Sequence, residues 1–334
     1  MEPSRTFPKA IIPILLLIIL CSSQAAMAKP YKIKAVSAWP QTVFEVQNFT
    51  QFLNMLKARV AQEYPGELIV DYMGGPEVIP GREQVEALRN HVVDMVFTTD
   101  GYYISALPEV NALSLTQIRP WEERSRGVNA LLNQGHMERL NAVYLGRMGS
   151  GIPFTLYLTR PVASADLSGL NIRCSPTHIN FLKALGAKPL VIPPPDVYTA
   201  LERGLADGFI WPAGLISDWG WDEVTKYVVD TPFYMAVNVV LMNKKSWEKL
   251  PPHLQTLIQK VQESAEHLAV ERGTQRVKTE FDAFKKAGIQ FINLPANEAS
   301  RLTRTAYETL WKTVISKAPE NGPRLKAMVS KQGN

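Results

Sequence analysis

The chain has 334 residues, of which 46% are hydrophobic and 20% are charged, with a formal net charge of +5. This composition is typical of a globular protein, and the length is sufficient for two lobes with buried cores. The Lys and Arg residues are dispersed along the chain rather than grouped. A dispersed, mild positive charge without an RNA-binding motif argues against nucleic-acid binding.

The first residues have the layout of a secretory signal peptide. A basic start precedes an apolar run at residues 11–21, and Ala26-Met27-Ala28 follows it as a small-residue cleavage site. We therefore predict that residues 1–28 are removed and that the mature protein is periplasmic. Lipid attachment at Cys21 is a weaker alternative, because Leu20 replaces the small residue that usually precedes a lipidated cysteine.

Strands and helices alternate along the first half of the mature chain. Hydrophobic periodicity predicts strands at 31–37, 68–72 and 92–98, separated by helices at 43–64 and 81–90. A long amphipathic helix at 121–140 and strands at 142–148 and 154–159 are predicted next. Such alternation indicates an α/β fold with a mainly parallel sheet.

The same alternation begins again after residue 152. We predict strands at 170–174, 208–211, 237–242 and 290–294, and helices at 177–185, 197–204, 253–286 and 298–315. Two such series predict two lobes: residues 29–151 plus about 238–278, and residues 152–237 plus about 279–334. The helix at 253–286 exceeds the usual globular length, and we expect it to lie across both lobes.

Motifs of known catalytic chemistry are missing from the sequence. The five histidines form no zinc-binding pattern, there is no Walker loop, and Gly149-Ser150-Gly151 lacks the spacing of a nucleophile elbow. We therefore expect no cofactor, no metal and no enzymatic activity. Cys174 lies beside Arg173, which would favour a reactive thiolate in a secreted hydrolase, but a buried filler is the preferred interpretation.

Residues 165–173, Ala-Asp-Leu-Ser-Gly-Leu-Asn-Ile-Arg, resemble the D-L-x-G-L-K-I-R signature of DctP-type solute-binding proteins of TRAP transporters. Further blocks resemble that family in order and spacing, at 74–77, 93–95, 107–109, 185–187, 197–204 and 206–208. The resemblance implies a two-lobe periplasmic binding protein fold, in which each lobe is a mainly parallel sheet flanked by helices. It also implies hinge closure on a small-molecule carboxylate and delivery to TRAP membrane permease subunits. We expect a monomer.

Arg173 ends the signature block, and in the family a strand arginine at this place pairs with the ligand carboxylate. A guanidinium presents a planar fork that matches a carboxylate in two parallel hydrogen bonds. Without the resemblance, a structural salt bridge at a strand end would be the simpler interpretation of an isolated arginine.

Two departures from the family pattern bear on the ligand. Trp211 stands where many members have an asparagine, and Pro153 stands where some have a second arginine. Arg147, on the preceding strand, is left open as a substitute for that arginine. These changes disfavour a sugar acid rich in hydroxyls. We expect a compact monocarboxylate with an apolar or aromatic body, or a short 2-oxo or 2-hydroxy acid if Trp211 only fills space.

The candidate ligand-binding residues lie near predicted strand ends and loops, where α/β sheets place ligands. Glu77 follows a Gly-Gly-Pro turn and is a candidate acceptor, with a solvated turn residue as the alternative. The full set is Arg173, Trp211, Glu77, Tyr102, Tyr103, Phe154 and Trp39. A binding protein that reports to a membrane receptor would use the same residues, so the sequence leaves transport and sensing open.

Overall fold

The fold is described for residues 29–331 in a computed structural model. The predicted signal peptide at 1–28, its cleavage site and the alternative of lipidation at Cys21 lie outside these residues. Within the described range, no helix combines the length and the apolar character needed to cross a bilayer.

The strands in chain order are β1 (Tyr31–Ser37), β2 (Leu68–Gly74), β3 (Met95–Thr99), β4 (Ala142–Arg147), β5 (Pro153–Leu158), β6 (Asn171–Arg173), β7 (Lys188–Leu190), β8 (Gly208–Pro212), β9 (Tyr227–Met235), β10 (Asn238–Asn243) and β11 (Gln290–Ile292). The helices are α1 (Phe44–Glu63), α2 (Gln84–Arg89), α3 (Pro120–Ser125), α4 (Val128–Leu140), α5 (Ile179–Ala184), α6 (Val197–Glu202), α7 (Lys244–Lys249), α8 (Pro252–Lys286), α9 (Ala296–Lys317) and α10 (Asn321–Val329).

The strands form two sheets, which confirms the predicted two-lobe α/β fold. The first sheet has the order β2-β1-β3-β10-β4 and the second has the order β11-β9-β5-β8-β6-β7. In each sheet one strand runs against its neighbours: β10 is antiparallel to β3 and β4, and β5 is antiparallel to β8 and β9. The other strands of each sheet run in one direction, so their carboxyl ends meet at one edge.

Helix α8 is 35 residues long, a length of about 50 Å at the usual rise per residue. It packs against α1 and β4 beside the first sheet and against β11 of the second. Leu254 and Ile258 belong to the core of the first lobe, whereas Phe284 belongs to a core beside the second sheet. The expectation that this helix lies across both lobes is confirmed.

The prediction of one helix at 121–140 is wrong. Two helices occupy this segment, α3 and α4, and Gly127 between them has a φ of +79°. This left-handed conformation breaks the helical hydrogen-bond ladder, and glycine adopts it without steric cost. The apolar periodicity continues across the break because both helices bury one face.

The chain crosses between the two sheets after β4 and again after β9. At the crossings, Met148 donates its N–H to Asn238 O at 2.7 Å, and Ala236 donates its N–H to Ile152 O at 2.9 Å. A Cβ at Gly149 would lie 2.5 Å from Ala236 O, so the two crossing segments touch. The residue boundaries of the lobes stay a prediction.

Candidate functional site

A cavity lies between the two sheets, at the edge where their strand ends face each other. Its lining includes Thr99 at the end of β3, Arg173 at the end of β6 and Trp211, the second-last residue of β8. The reversed strands contribute their starts, through Phe154 of β5 and Asn238 of β10. The cavity has a volume of about 50 Å³, which suits a compact ligand.

Arg173 is buried, with 3% of its surface exposed. Its Nε donates to Ile192 O at 2.9 Å, and its Nη1 is buried without a hydrogen-bond partner. Among residues 29–331 no carboxylate forms a salt bridge with it. Burial lowers the pKa of Arg173 to about 10, so the side chain keeps its charge at neutral pH.

Arg147 has a different environment. It is fully buried and forks onto Glu123, with Nε–Oε2 at 2.9 Å and Nη2–Oε1 at 2.7 Å. It does not line the cavity. Its charge is therefore neutralised within the protein, and Arg147 does not replace the arginine that is absent at Pro153.

Trp211 forms a wall of the cavity against which Arg173 packs. The guanidinium carbon lies 5.0 Å from the Trp211 ring centroid and 5.8 Å from that of Trp221. Trp211 is held in place because its Nε1 donates to Leu215 O at 3.1 Å. These cation–π contacts orient the arginine, and part of the Trp211 face is consequently covered by Arg173.

The remaining aromatic walls come from Phe154, Tyr102 and Trp39. Phe154 packs edge-to-face on His178 at 4.8 Å, and the rings of Trp39 and Tyr102 are 6.1 Å apart. Trp39 and Tyr102 also line a wider opening beside the cavity, which we call the vestibule and which includes Pro193–195 and Trp219 from the second-lobe segment. Arg82 lines both the vestibule and the cavity, with its guanidinium carbon 5.4 Å from the Tyr102 ring centroid.

Two candidate residues lie away from the cavity. Glu77 is exposed at the vestibule, and its Oε1 accepts from Gly75 N at 2.6 Å within the turn. Tyr103 is 4% exposed, packs in the core and places its hydroxyl 3.1 Å from His136 Nε2. Five of the seven candidate residues therefore line the cavity: Arg173, Trp211, Tyr102, Phe154 and Trp39. Glu77 and Tyr103 do not line it.

Polar cavity residues were missed by the sequence reasoning, although the loop after β3 contained a signal in Thr98-Thr99-Asp100-Gly101. Asp100 is buried, and its carboxylate accepts from Thr99 Oγ1, Gly101 N and Ser114 Oγ at 2.8–3.0 Å. Burial raises the pKa of Asp100 to about 6. Glu45, at the start of α1, lines the same cavity. His178 is kept neutral, since burial and Arg173 lower its pKa to about 3.

The cysteine near the cavity is unreactive, and the described residues offer no metal-binding cluster. Cys174 is buried, and burial raises its pKa to about 12, so it is a thiol and not a thiolate at neutral pH. Over the described range 29–331, no group of three or more His, Cys, Asp or Glu side chains is arranged to hold a metal ion.

The family model of bacterial extracellular solute-binding proteins, family 7 (DctP), matches residues 41–318. The uncharacterized protein YiiZ of Salmonella typhimurium is 25% identical over 284 residues, 82% of this chain and 84% of that protein. The 2,3-diketo-L-gulonate-binding periplasmic protein YiaO of Escherichia coli is 32% identical over 133 residues, 38% of this chain and 40% of that protein.

Solved structures share the fold. A TRAP periplasmic solute-binding protein from Desulfovibrio salexigens, with bound orotic acid, has a TM-score of 0.79 at 21% identity, covering 90% of this chain and 97% of that one. A Bordetella pertussis extracytoplasmic solute receptor binding pyroglutamic acid has a TM-score of 0.78 at 20% identity, covering 90% and 99%. With a family model that spans most of its length, this chain belongs to the DctP family of bacterial extracellular solute-binding proteins, the solute-binding proteins of TRAP transporters.

Proposed function

We propose that the protein captures a small organic carboxylate between its lobes, holds the carboxylate on Arg173, and delivers it to TRAP membrane permease subunits. The observation that carries this proposal is a buried arginine that lines an interlobe cavity and has no acidic partner in residues 29–331. A buried charge without a counter-charge is costly to the fold. A bound carboxylate would supply that counter-charge.

The orientation of Arg173 supports a two-point contact. Its Nε donates to Ile192 O, and its guanidinium carbon lies over the Trp211 ring at 5.0 Å. The two terminal nitrogens are therefore the donors left for a carboxylate. A fork of this kind gives both strength and orientation, which a lysine ammonium does not provide.

The walls favour a ligand with a compact, ring-like or branched body. Phe154, Tyr102, Trp39 and Trp211 supply apolar surface around a small space. Proteins of the same fold hold orotic acid, pyroglutamic acid, or picolinate with calcium, which are ring carboxylates without sugar hydroxyls, although another holds the hydroxyl-rich D-glucuronate. For this chain Trp211 and Pro153 remove polar contacts, and we propose that hydroxyl-rich sugar acids bind poorly.

Binding should be measured on mature protein that has been unfolded and refolded to remove co-purified molecules. Thermal shift with pyroglutamate, orotate, benzoate, lactate, pyruvate and glucuronate selects the strongest binder for calorimetry. Arg173→Ala should weaken its affinity by a factor of about 30 or more, because truncating one partner of a buried charge pair typically costs about 2–5 kcal/mol. Arg173→Lys should also bind weakly.

The matched control is Arg160→Ala. Arg160 is exposed and pairs with Asp207 at 3.3 Å outside the cavity, so its removal should leave affinity unchanged. Near-native affinity in a folded Arg173→Ala protein would refute the assignment of Arg173. Stabilisation by glucuronate alone would refute the proposed ligand class.

A further inference from the structure

Two acidic side chains line the cavity with Arg173, and their hydrogen bonding differs. Both oxygens of Asp100 accept hydrogen bonds, from Thr99, Gly101 and Ser114. Glu45 is just as buried, at 5% exposure, but its Oε2 is enclosed without a hydrogen-bond partner. Glu45 is therefore the cavity acid with unused acceptor capacity.

The charged groups around Glu45 pair mainly with each other, although Nε of Arg276 is buried without a hydrogen-bond partner. Arg276 donates to Asp218 at 2.7 Å and lies 3.0 Å from Glu280, and Asp218 also accepts from Phe44 N at 2.8 Å. No described residue forms a salt bridge with Glu45. Glu45 shares the cavity with Arg82, Asp100, Tyr102, Arg173 and His178. The charges of Arg173 and Glu45 both act on the Tyr102 hydroxyl.

An unpartnered buried carboxyl is unfavourable for the fold. Such groups persist at functional sites, where a ligand supplies the missing partner. For the ionised form of Glu45 the missing partner is a donor, because a carboxylate only accepts hydrogen bonds. Arg173 and Glu45 together present a donor fork and a free acceptor across a small, aromatic-walled space.

We propose that Glu45 is a second ligand-recognition residue that accepts a hydrogen bond from an N–H or O–H group of the ligand. This inference rests on the proposed function and narrows its substrate class. The ligand is a compact carboxylate that carries a hydrogen-bond donor a few atoms from its carboxylate, such as a ring N–H acid or a hydroxy acid. A carboxylate of the same shape without a donor leaves Glu45 unpaired and is a poor ligand.

The protonation of Glu45 fits this role. Burial raises its pKa to about 7, and the nearby Asp218 adds to this, while a hydrogen bond from the backbone of Glu45 itself and the charge of Arg276 oppose it. A donor from the ligand stabilises the ionised form. Affinity for a donor-bearing ligand should therefore increase between pH 6 and pH 8, and this increase should disappear when Glu45 is replaced by leucine.

The test uses carboxylates matched in shape that differ in the donor: pyrrole-2-carboxylate against furan-2-carboxylate, pyrrole-3-carboxylate against furan-3-carboxylate, and lactate against propionate. Calorimetry is performed on the full mature protein and on Glu45→Leu, Glu45→Gln and Arg173→Ala. Wild type should bind the donor-bearing member of at least one pair about tenfold more tightly. Glu45→Leu should lose or invert this preference, and Glu45→Gln should reduce it. Glu86→Gln, on the exposed surface of α2, is the control and should keep it.

The outcomes separate the two proposals. Equal binding of both members of every pair, with loss of binding in Arg173→Ala, overturns the role of Glu45 and leaves the proposed function intact. A donor preference that survives in a folded Glu45→Leu protein also overturns it. Failure of every donor-bearing acid to bind overturns it as well, since these acids represent the predicted class. Binding that survives in Arg173→Ala contradicts the proposed function itself.

Discussion

Arg147 and Arg173 both end a strand, yet only one of them is neutralised by the protein. Arg147 ends β4 and is forked onto Glu123, whereas Arg173 ends β6 and meets only a carbonyl oxygen and two indole rings. The difference lies in the residues that the fold brings near each arginine. At the residue scale, it separates a structural arginine from a candidate ligand-binding arginine.

The signature block that ends at Arg173 could be identified from the sequence. The residues that surround its side chain in the cavity could not. Asp100 and Glu45 reach the cavity from β3 and α1, far from Arg173 along the chain. Tyr103 stands next to Tyr102, yet it points into the core toward His136. Local sequence pattern predicts where a strand ends. Whether a side chain at that end points into the cavity or into the core depends on tertiary packing.

Glu45 makes the stability of the ligand-free protein dependent on pH. Its pKa is raised from 4.5 to about 7, so the folded protein holds this proton more tightly than the unfolded chain. The stabilisation is complete below pH 4.5 and is lost as the pH rises through 7. Relative to wild type, Glu45→Gln should be more stable by only about 1 kcal/mol at pH 5 and by about 3 kcal/mol at pH 8.

Denaturant unfolding of both proteins at pH 5, 6, 7 and 8 measures this difference. Comparing the two proteins cancels the contributions of other titrating groups, including His178. A constant difference across this range would show that Glu45 is already ionised in the folded protein at pH 5.

At the scale of elements, prediction succeeded where one periodicity persists and failed where the chain bends. Helix α8 was predicted almost to its limits because its pattern continues without interruption. Strand β9 was missed because it contains Pro232, and proline interrupts a ladder. Pro232 is exposed and lies where the pairing with β5 shifts register, between the pairs Leu156–Val229 and Phe154–Phe233. The strand therefore tolerates a residue that the pattern rules exclude.

Helix α10 was also missed, because the chain after Lys317 begins with Ala-Pro-Glu-Asn-Gly-Pro, a typical turn composition. The helix nevertheless forms at Asn321–Val329 and packs against α4 and α9. Leu325 and Val329 are fully buried there. Tertiary burial of two apolar residues outweighs weak local propensity in this segment.

At the scale of the whole molecule, the two sheets are joined by two short crossings and by α8. The crossings at Gly149–Ile152 and Ala236–Asn238 lie side by side. Gly151 has a φ of +90°, a conformation that favours glycine. We propose that this paired crossing is the hinge about which one lobe rotates against the other.

Small-angle scattering should detect this rotation. Addition of the strongest-binding carboxylate should decrease the radius of gyration of the wild-type protein, because closure brings the lobes together. The same concentration should leave Arg173→Ala unchanged. An identical radius of gyration for free and saturated wild-type protein would argue against closure by hinge motion.

Mass spectrometry of the small molecules released by denaturing the purified protein tests the central claim most directly. The wild-type protein, expressed with its signal peptide and purified without refolding, should release an organic carboxylate in amounts comparable to the protein. Arg173→Ala, prepared in parallel and verified as folded by circular dichroism, should release little of it, because the counter-charge for the carboxylate is missing. Equal release of the same carboxylate from both proteins, or release of only a molecule without a carboxylate, would contradict capture through Arg173.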